Sequence, residues 1–196
     1  MSSWIGALGA LLFVSVFLVD GATRPGYSPV RHTVSALALG TRGWIQGANF
    51  VVGGTAIAWG GVGSIVSGGH WLPGLVLTAL GLGLLASTVP MDPMRGYPPG
   101  TPDSDPEEFS TAHSLHDGAG AIVFFSLPVL SVVSAFALPG IAWAVGAVLV
   151  TIALAAALVA FERGWREDSP TTGLAQRAVL VPGLLWVAAV LLALGG

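Results

Sequence analysis

The chain has 196 residues, 54% of them hydrophobic and 9% charged, with a formal charge of −3, no cysteine and a mean hydropathy of +0.81. An ordinary soluble domain carries about 25% charged residues, so this composition excludes a water-solvated globule, and the lack of cysteine excludes disulfides, thiolate metal sites and cysteine nucleophiles. No basic patch interleaved with aromatic residues occurs either, so nucleic acid is not an expected partner.

A transmembrane helix needs about 20 mostly apolar residues to cross the hydrocarbon. Runs of this kind occupy Ser3–Val19, Trp44–Val66, Trp71–Val89, Ala119–Leu138, Ile141–Phe161 and Leu174–Leu194. They predict an all-α fold, a polytopic transmembrane bundle of six helices, as a single integral membrane domain over residues 1–196. The first run lacks a basic leader and a small-residue cleavage site, which predicts a retained helix rather than a signal peptide.

Six crossings place both termini, the Ser67–His70 connector and the Pro139–Gly140 turn on one face. The other three connectors and adjoining helix ends carry all seven basic residues, Arg24, Arg31, Arg42, Arg95, Arg163, Arg166 and Arg177. Basic residues in short loops stay on the cytoplasmic side. The expectation is a multi-pass protein of the cell membrane with cytoplasmic arginine-rich loops and extracytoplasmic termini.

The first connector, after Arg24 and Tyr27, contains a helix signal: Ser28 as cap, Pro29 at the first position and Gly40 at the end. It predicts a helix of about eleven residues, about 16 Å long, too short to span and therefore interfacial or re-entrant. Helical spacing would turn Arg31, His32 and Ser35 toward one neighbourhood. The second run opens with Gln46 and Asn49, amides that need partners in hydrocarbon. It also carries Gly53, Gly54, Gly60, Gly61 and Gly63, which with Gly74, Gly81 and Gly83 of the third run predict close helix contacts.

Asp92 and Arg95 follow the third run. The acidic stretch Asp103–Glu108, interrupted by proline, reads as a solvated flexible loop without a role. Before the fourth run stand His113, His116 and Asp117, which share one face if the stretch is helical. Pro128 and Pro182 interrupt the fourth and sixth runs, where they remove a backbone hydrogen bond. Glu162, Arg163, Arg166, Glu167 and Asp168 alternate in sign between the last two runs, and Gln176 and Arg177 open the sixth.

The Arg24-Pro-Gly-Tyr-Ser-Pro stretch leading to His32 and Ser35, the Gln46/Asn49 helix, the Asp92-Pro exit and the His113/His116 entry together resemble the bacterial membrane proteins of the domain-of-unknown-function 998 family. The resemblance covers nearly the whole chain and implies a six-helix polytopic fold without an established reaction. More loosely, serine, aspartate and histidines at a membrane boundary are similar to the alkaline-ceramidase and progestin-receptor-like membrane hydrolases, which implies zinc chemistry.

Three functions follow as expectations. In the first, a polar cluster of Arg24, Tyr27, Gln46, Asn49, Asp117 and Arg177 binds lipid headgroups, a membrane protein partner or a second copy of the chain. In the second, His113, His116, His32 and Asp92 hold zinc as cofactor for lipid hydrolysis, with Ser35 or Arg31 steadying the oxyanion. The third is a small-molecule transporter, for which no inverted repeat or central charged pair is evident.

Overall fold

The computed structural model describes residues 1–195, so only the last residue of the expected domain lies outside it. Among the described residues there are six α-helices and no strand: α1 (Ser2–Thr23), α2 (Gly43–Gly68), α3 (Trp71–Ala86), α4 (Thr111–Ala137), α5 (Ile141–Arg166) and α6 (Thr172–Leu194). Five are long and apolar enough to cross a membrane, and α3 is a shorter apolar helix. The short connections between α2 and α3, α4 and α5, and α5 and α6 make those neighbours antiparallel. Each packs on the next, and α6 returns to close the ring on α1 while also touching α2 and α4.

Large apolar side chains cover the outside of the bundle, among them Leu8, Val52, Phe136, Ile141, Leu149 and Ile152. The exposed Trp4, Trp44 and Trp71 stand at helix ends, where the amphipathic indole suits the membrane–water boundary. An apolar exterior with tryptophans at its edges is the surface of a multi-pass membrane protein. Inside, Phe13, Phe17, Ile57, Leu80, Leu127 and Leu184 are fully buried.

Lipid supplies no hydrophobic drive between helices, so association depends on close backbone approach. A methyl group at Gly54 would lie 2.7 Å from the Gly81 carbonyl oxygen, and one at Gly61 equally close to that of Gly74. These glycines let α2 and α3 touch backbone to backbone. At the bundle's end, Ser3 lies against Gly195, so the start of α1 and the end of α6 share one face. The seven arginines gather at the opposite end.

The structure corrects the sequence reading in three places. The expected eleven-residue helix is only a 3-10 turn, Val34–Ala38, preceded by a bend at Ser28–His32. The start of α6 explains why. The first amides of a helix have no partner within it, and here Gly173 and Leu174 donate to the carbonyls of Arg31 and Val30 at 3.1 and 2.9 Å. Arg177 takes the carbonyls of Pro29 and His32 at 2.7 and 3.0 Å. These donors from α6 hold the segment in its bent course.

The third run ends at Ala86, three residues short of its expected limit, because Ser87 caps it and Pro90 biases Val89 away from helical angles. The acidic stretch is not a free loop. Arg31 holds Asp103 at 2.6 Å, and Arg95 grips Asp105 with two nitrogens at 2.7 and 2.9 Å, which holds the Asp105 carboxyl below the usual range. The connector between α3 and α4 is thereby strapped across the arginine-bearing end.

Candidate functional site: a cleft between α4 and α5

Two kinds of polar group occupy the arginine-bearing end, those that hold the fold together and those left facing a cavity. Asp20 is buried at the end of α1 and pairs with Arg24 and Arg42. A buried carboxylate is tolerable only with such partners. Arg24 donates further to the carbonyls of Leu37, Leu39 and Arg42 at 2.8, 3.0 and 2.8 Å, which fastens the 3-10 turn and the start of α2 to α1.

Arg177 plays the matching role from α6, donating to Tyr27 Oη at 2.5 Å as well as to the bend. Tyr27 in turn donates to the Thr33 carbonyl at 2.8 Å, and burial pushes its phenol above the ordinary range, so it stays a neutral donor. Gln176 Oε1 accepts from the Val34 amide at 2.6 Å. On α2, Asn49 Nδ2 donates to the Phe13 carbonyl at 3.1 Å and to Gln46 Oε1 at 3.3 Å. Of the expected headgroup cluster, Arg24, Tyr27, Gln46, Asn49 and Arg177 are therefore buried and bonded within the protein. Asp117 is exposed.

The expected four-residue metal set is not brought together. His32 Nδ1 accepts the Ser28 amide at 3.0 Å, and its ring sits between Tyr27 and Tyr97. His113 Nδ1 accepts the Asp92 amide at 3.0 Å. Its Nε2 lies 3.3 Å from Asp117 Oδ2 without a hydrogen bond to it. Asp92 accepts from the amide and hydroxyl of Ser110, both at 2.7 Å, which lowers its carboxyl and makes Ser110 the cap of α4, bonded to the His113 amide at 3.1 Å. Among the described residues no three histidine, aspartate or glutamate side chains form a group that could hold a metal ion. These side chains instead start a helix and fix a bend, and their arrangement does not fit a zinc centre.

His116 and Ser35 have a different placement. Both line a cleft of about 750 Å³ between the N-terminal half of α4 and the C-terminal half of α5. Thr33, Gln176 and Met91 complete its floor. The His116 Nδ1 lies 2.7 Å from the Val89 carbonyl, which can only accept, so Nδ1 carries the hydrogen in the neutral ring. Arg31, the other expected oxyanion group, instead points to Asp103 outside the cleft.

The side-chain hydrogen bonds that tie α4 to α5 lie away from the cleft. Ser131 Oγ donates to the Ala147 carbonyl at 2.8 Å, and Thr151 Oγ1 reaches Ser131 Oγ at 3.0 Å. Pro128, toward the cleft, has no amide for the carbonyl of Phe124. Nearer the arginine-bearing end the two helices meet through the rings of Phe124 and Phe161, whose centroids are 5.2 Å apart, and both rings belong to the cleft lining.

Each wall changes character along its length. On α4 the order is His116 and Asp117, then Gly120 and Ala121, then Phe124 and Phe125; on α5, read back from its capping residue Glu167, the ionic Arg166, Arg163 and Glu162, with Trp165 among them, give way to Phe161, Val159 and Leu158. From His116 to Phe125, at about 1.5 Å per residue, the wall is about 14 Å tall. Phe125 and Val159 are 67% and 53% exposed, so the apolar half opens sideways toward lipid. Sequence reading missed Phe124, Phe125, Phe161 and Trp165, because in a 54% hydrophobic chain they have no contrast with the lipid-facing surface.

No curated protein and no solved structure matches the chain, and the looser likeness to alkaline ceramidases gains nothing from these comparisons. A family model described as a protein of unknown function, DUF998, matches residues 7–193. With its apolar exterior, its six helices and this match over nearly its full length, the chain belongs to the DUF998 family.

Proposed function

We propose that this multi-pass membrane protein takes a membrane lipid into the cleft between α4 and α5, its polar end at the arginine-bearing face and its chains toward Phe124 and Phe125. One observation carries the reading: both walls pass from ionic to apolar in the same direction and over the same height. A lipid at a membrane boundary has that gradient, and a water-soluble solute does not. The volume of about 750 Å³ falls in the range of small-molecule sites.

The floor supplies hydroxyl, amide and imidazole groups from Ser35, Thr33, Gln176 and His116, suited to the ester region that joins headgroup to chain. By the positive-inside rule the arginine-bearing end faces the cytoplasm of the cell membrane, and the lipid is drawn from the inner leaflet. The ring of antiparallel helices and the sealed Arg24 and Arg177 networks favour a holding role over a rocking transport path.

Native mass spectrometry of detergent-purified protein tests this. The wild type is expected to retain a lipid that Ala121→Trp, which fills the cleft, removes. Ala156→Trp, on the exposed outside of α5, is expected to retain it. Equal retention by the two variants overturns the proposal.

A further inference from the structure

The mouth of the cleft carries charge of both signs, arranged in a way that selects among lipids. Asp117 of α4 stands on one wall, and Glu162, Arg163 and Arg166 of α5 with its capping residue Glu167 on the other. Arg166 and Glu162 neutralise each other at 2.6 Å. Among the described residues, Arg163 and Glu167 make no ion pair, and Asp117 meets only His113.

Resting on the lipid reading above, we infer that the occupant is a zwitterionic phospholipid with a primary ammonium headgroup, its phosphate on Arg163 and its ammonium between Asp117 and Glu167. A guanidinium is the side chain best matched to phosphate oxygens, and carboxylates accept charge-assisted hydrogen bonds from an ammonium that has N–H groups to give. Three carboxylates against two arginines at the mouth disfavour a headgroup with net negative charge. A quaternary ammonium has no N–H for Asp117 or Glu167. The other usual device for such a cation is an open aromatic face. At the charged mouth Trp165 is already stacked by Arg95, whose guanidinium carbon lies 4.2 Å from the ring centre, and Phe124, Phe125 and Phe161 belong to the apolar half of the cleft.

The test is competition for the full-length protein in detergent. Synthetic phosphatidylethanolamine, phosphatidylglycerol and phosphatidylcholine with identical acyl chains are offered in equal amounts, and bound lipid is read by native mass spectrometry. Phosphatidylethanolamine is expected to exceed each of the others roughly fivefold, the size of a favourable partly exposed charge contact. Asp117→Asn with Glu167→Gln is expected to bring its ratio to phosphatidylglycerol to about one or below, and Arg163→Gln to lower retention of all three.

All three substitutions are at exposed positions, and the wild-type competition decides the matter even if a variant is poorly produced. Equal retention of the three lipids, or preference for phosphatidylglycerol or phosphatidylcholine, overturns the headgroup assignment; if Ala121→Trp still abolishes retention, the cleft reading stands without it. No retained lipid in the wild type overturns both.

Discussion

Arg177 of α6 donates to the hydroxyl of Tyr27 at 2.5 Å, across 150 positions of sequence. The same guanidinium takes the carbonyls of Pro29, His32 and Gly173, so a single side chain organises the bend at the arginine-bearing end. Removing it takes the donor from the Pro29 carbonyl, and one donor each from Tyr27 Oη and the His32 and Gly173 carbonyls, and a buried acceptor left without a donor costs about 1–3 kcal/mol. Arg177→Ala is expected to lower stability by about 3 kcal/mol or more, and Arg177→Lys to recover little because a point ammonium cannot serve the same fork. Thermal unfolding in detergent measures both, and a wild-type midpoint for Arg177→Ala would contradict the role.

Ser110 begins α4 and is itself oriented by Asp92. Replacing a capping serine with alanine costs about 1 kcal/mol, and Ser110→Ala is expected to show that loss. The Asp92 carboxyl is held below its ordinary range by the Ser110 amide and hydroxyl. A depressed carboxyl contributes stability above its unfolded pKa of about 3.9, and that contribution disappears as pH falls through the folded value. Unfolding followed from pH 6 down to the acid limit of the detergent should lose this component in Asp92→Asn; an unchanged acid slope would contradict it.

His32 titrates in the opposite chemical direction with the same consequence. Its Nδ1 must stay unprotonated to accept the Ser28 amide, and burial lowers its pKa, helped by the charges of Arg31 and Arg177 and opposed by the backbone of Arg95 and by Asp103. A histidine depressed in the folded state leaves the unfolded chain to bind the proton first. Stability is therefore complete above about pH 6.5 and declines below it. His32→Gln is expected to flatten that decline between pH 7.5 and 5.5 relative to wild type. An identical decline in the variant would place the titration elsewhere.

The two clamps on the acidic connector should differ in strength. Arg31 and Asp103 meet at the surface, with side-chain exposures of 34% and 72%, and exposed pairs contribute about 0–1 kcal/mol. Arg95 is buried, holds Asp105 with two nitrogens, bonds the Trp165 carbonyl at 2.9 Å and stacks on the Trp165 ring. Asp103→Asn is expected to change stability by less than about 0.5 kcal/mol, and Arg95→Ala to cost about 2 kcal/mol or more. Chemical unfolding of the two side by side checks the order, and the reverse order would contradict it.

Much of the architecture was legible because hydrocarbon imposes a length on every crossing and an asymmetry on arginine. The runs containing Phe13, Leu127 and Leu184 became helices, and the arginines share one end. The bend at Pro29–His32 was not legible. Its local sequence does favour a helix, and what prevents it is the amides of Gly173 and Leu174, more than 140 residues later. The acidic connector failed for the same reason: composition predicts solvation, while Arg31 and Arg95 supply ion pairs that only tertiary structure brings near. In the candidate site, Ser35, His116 and Asp117 stood out by type, but the aromatic half of the cleft did not. A lipid-facing phenylalanine and a cleft-facing one look alike in a chain whose surface is apolar.

The lipid itself is the most direct witness to the central claim. A phospholipid carrying a photoreactive diazirine within one acyl chain can be supplied in the bilayer, followed by detergent extraction, removal of loosely held lipid, irradiation and mapping of the adducts. A lipid seated in the cleft predicts adducts concentrated on Phe124, Phe125, Leu158 and Val159. Adducts spread evenly over outward residues such as Leu8, Val52 and Ile152, with no excess in the cleft, would contradict it.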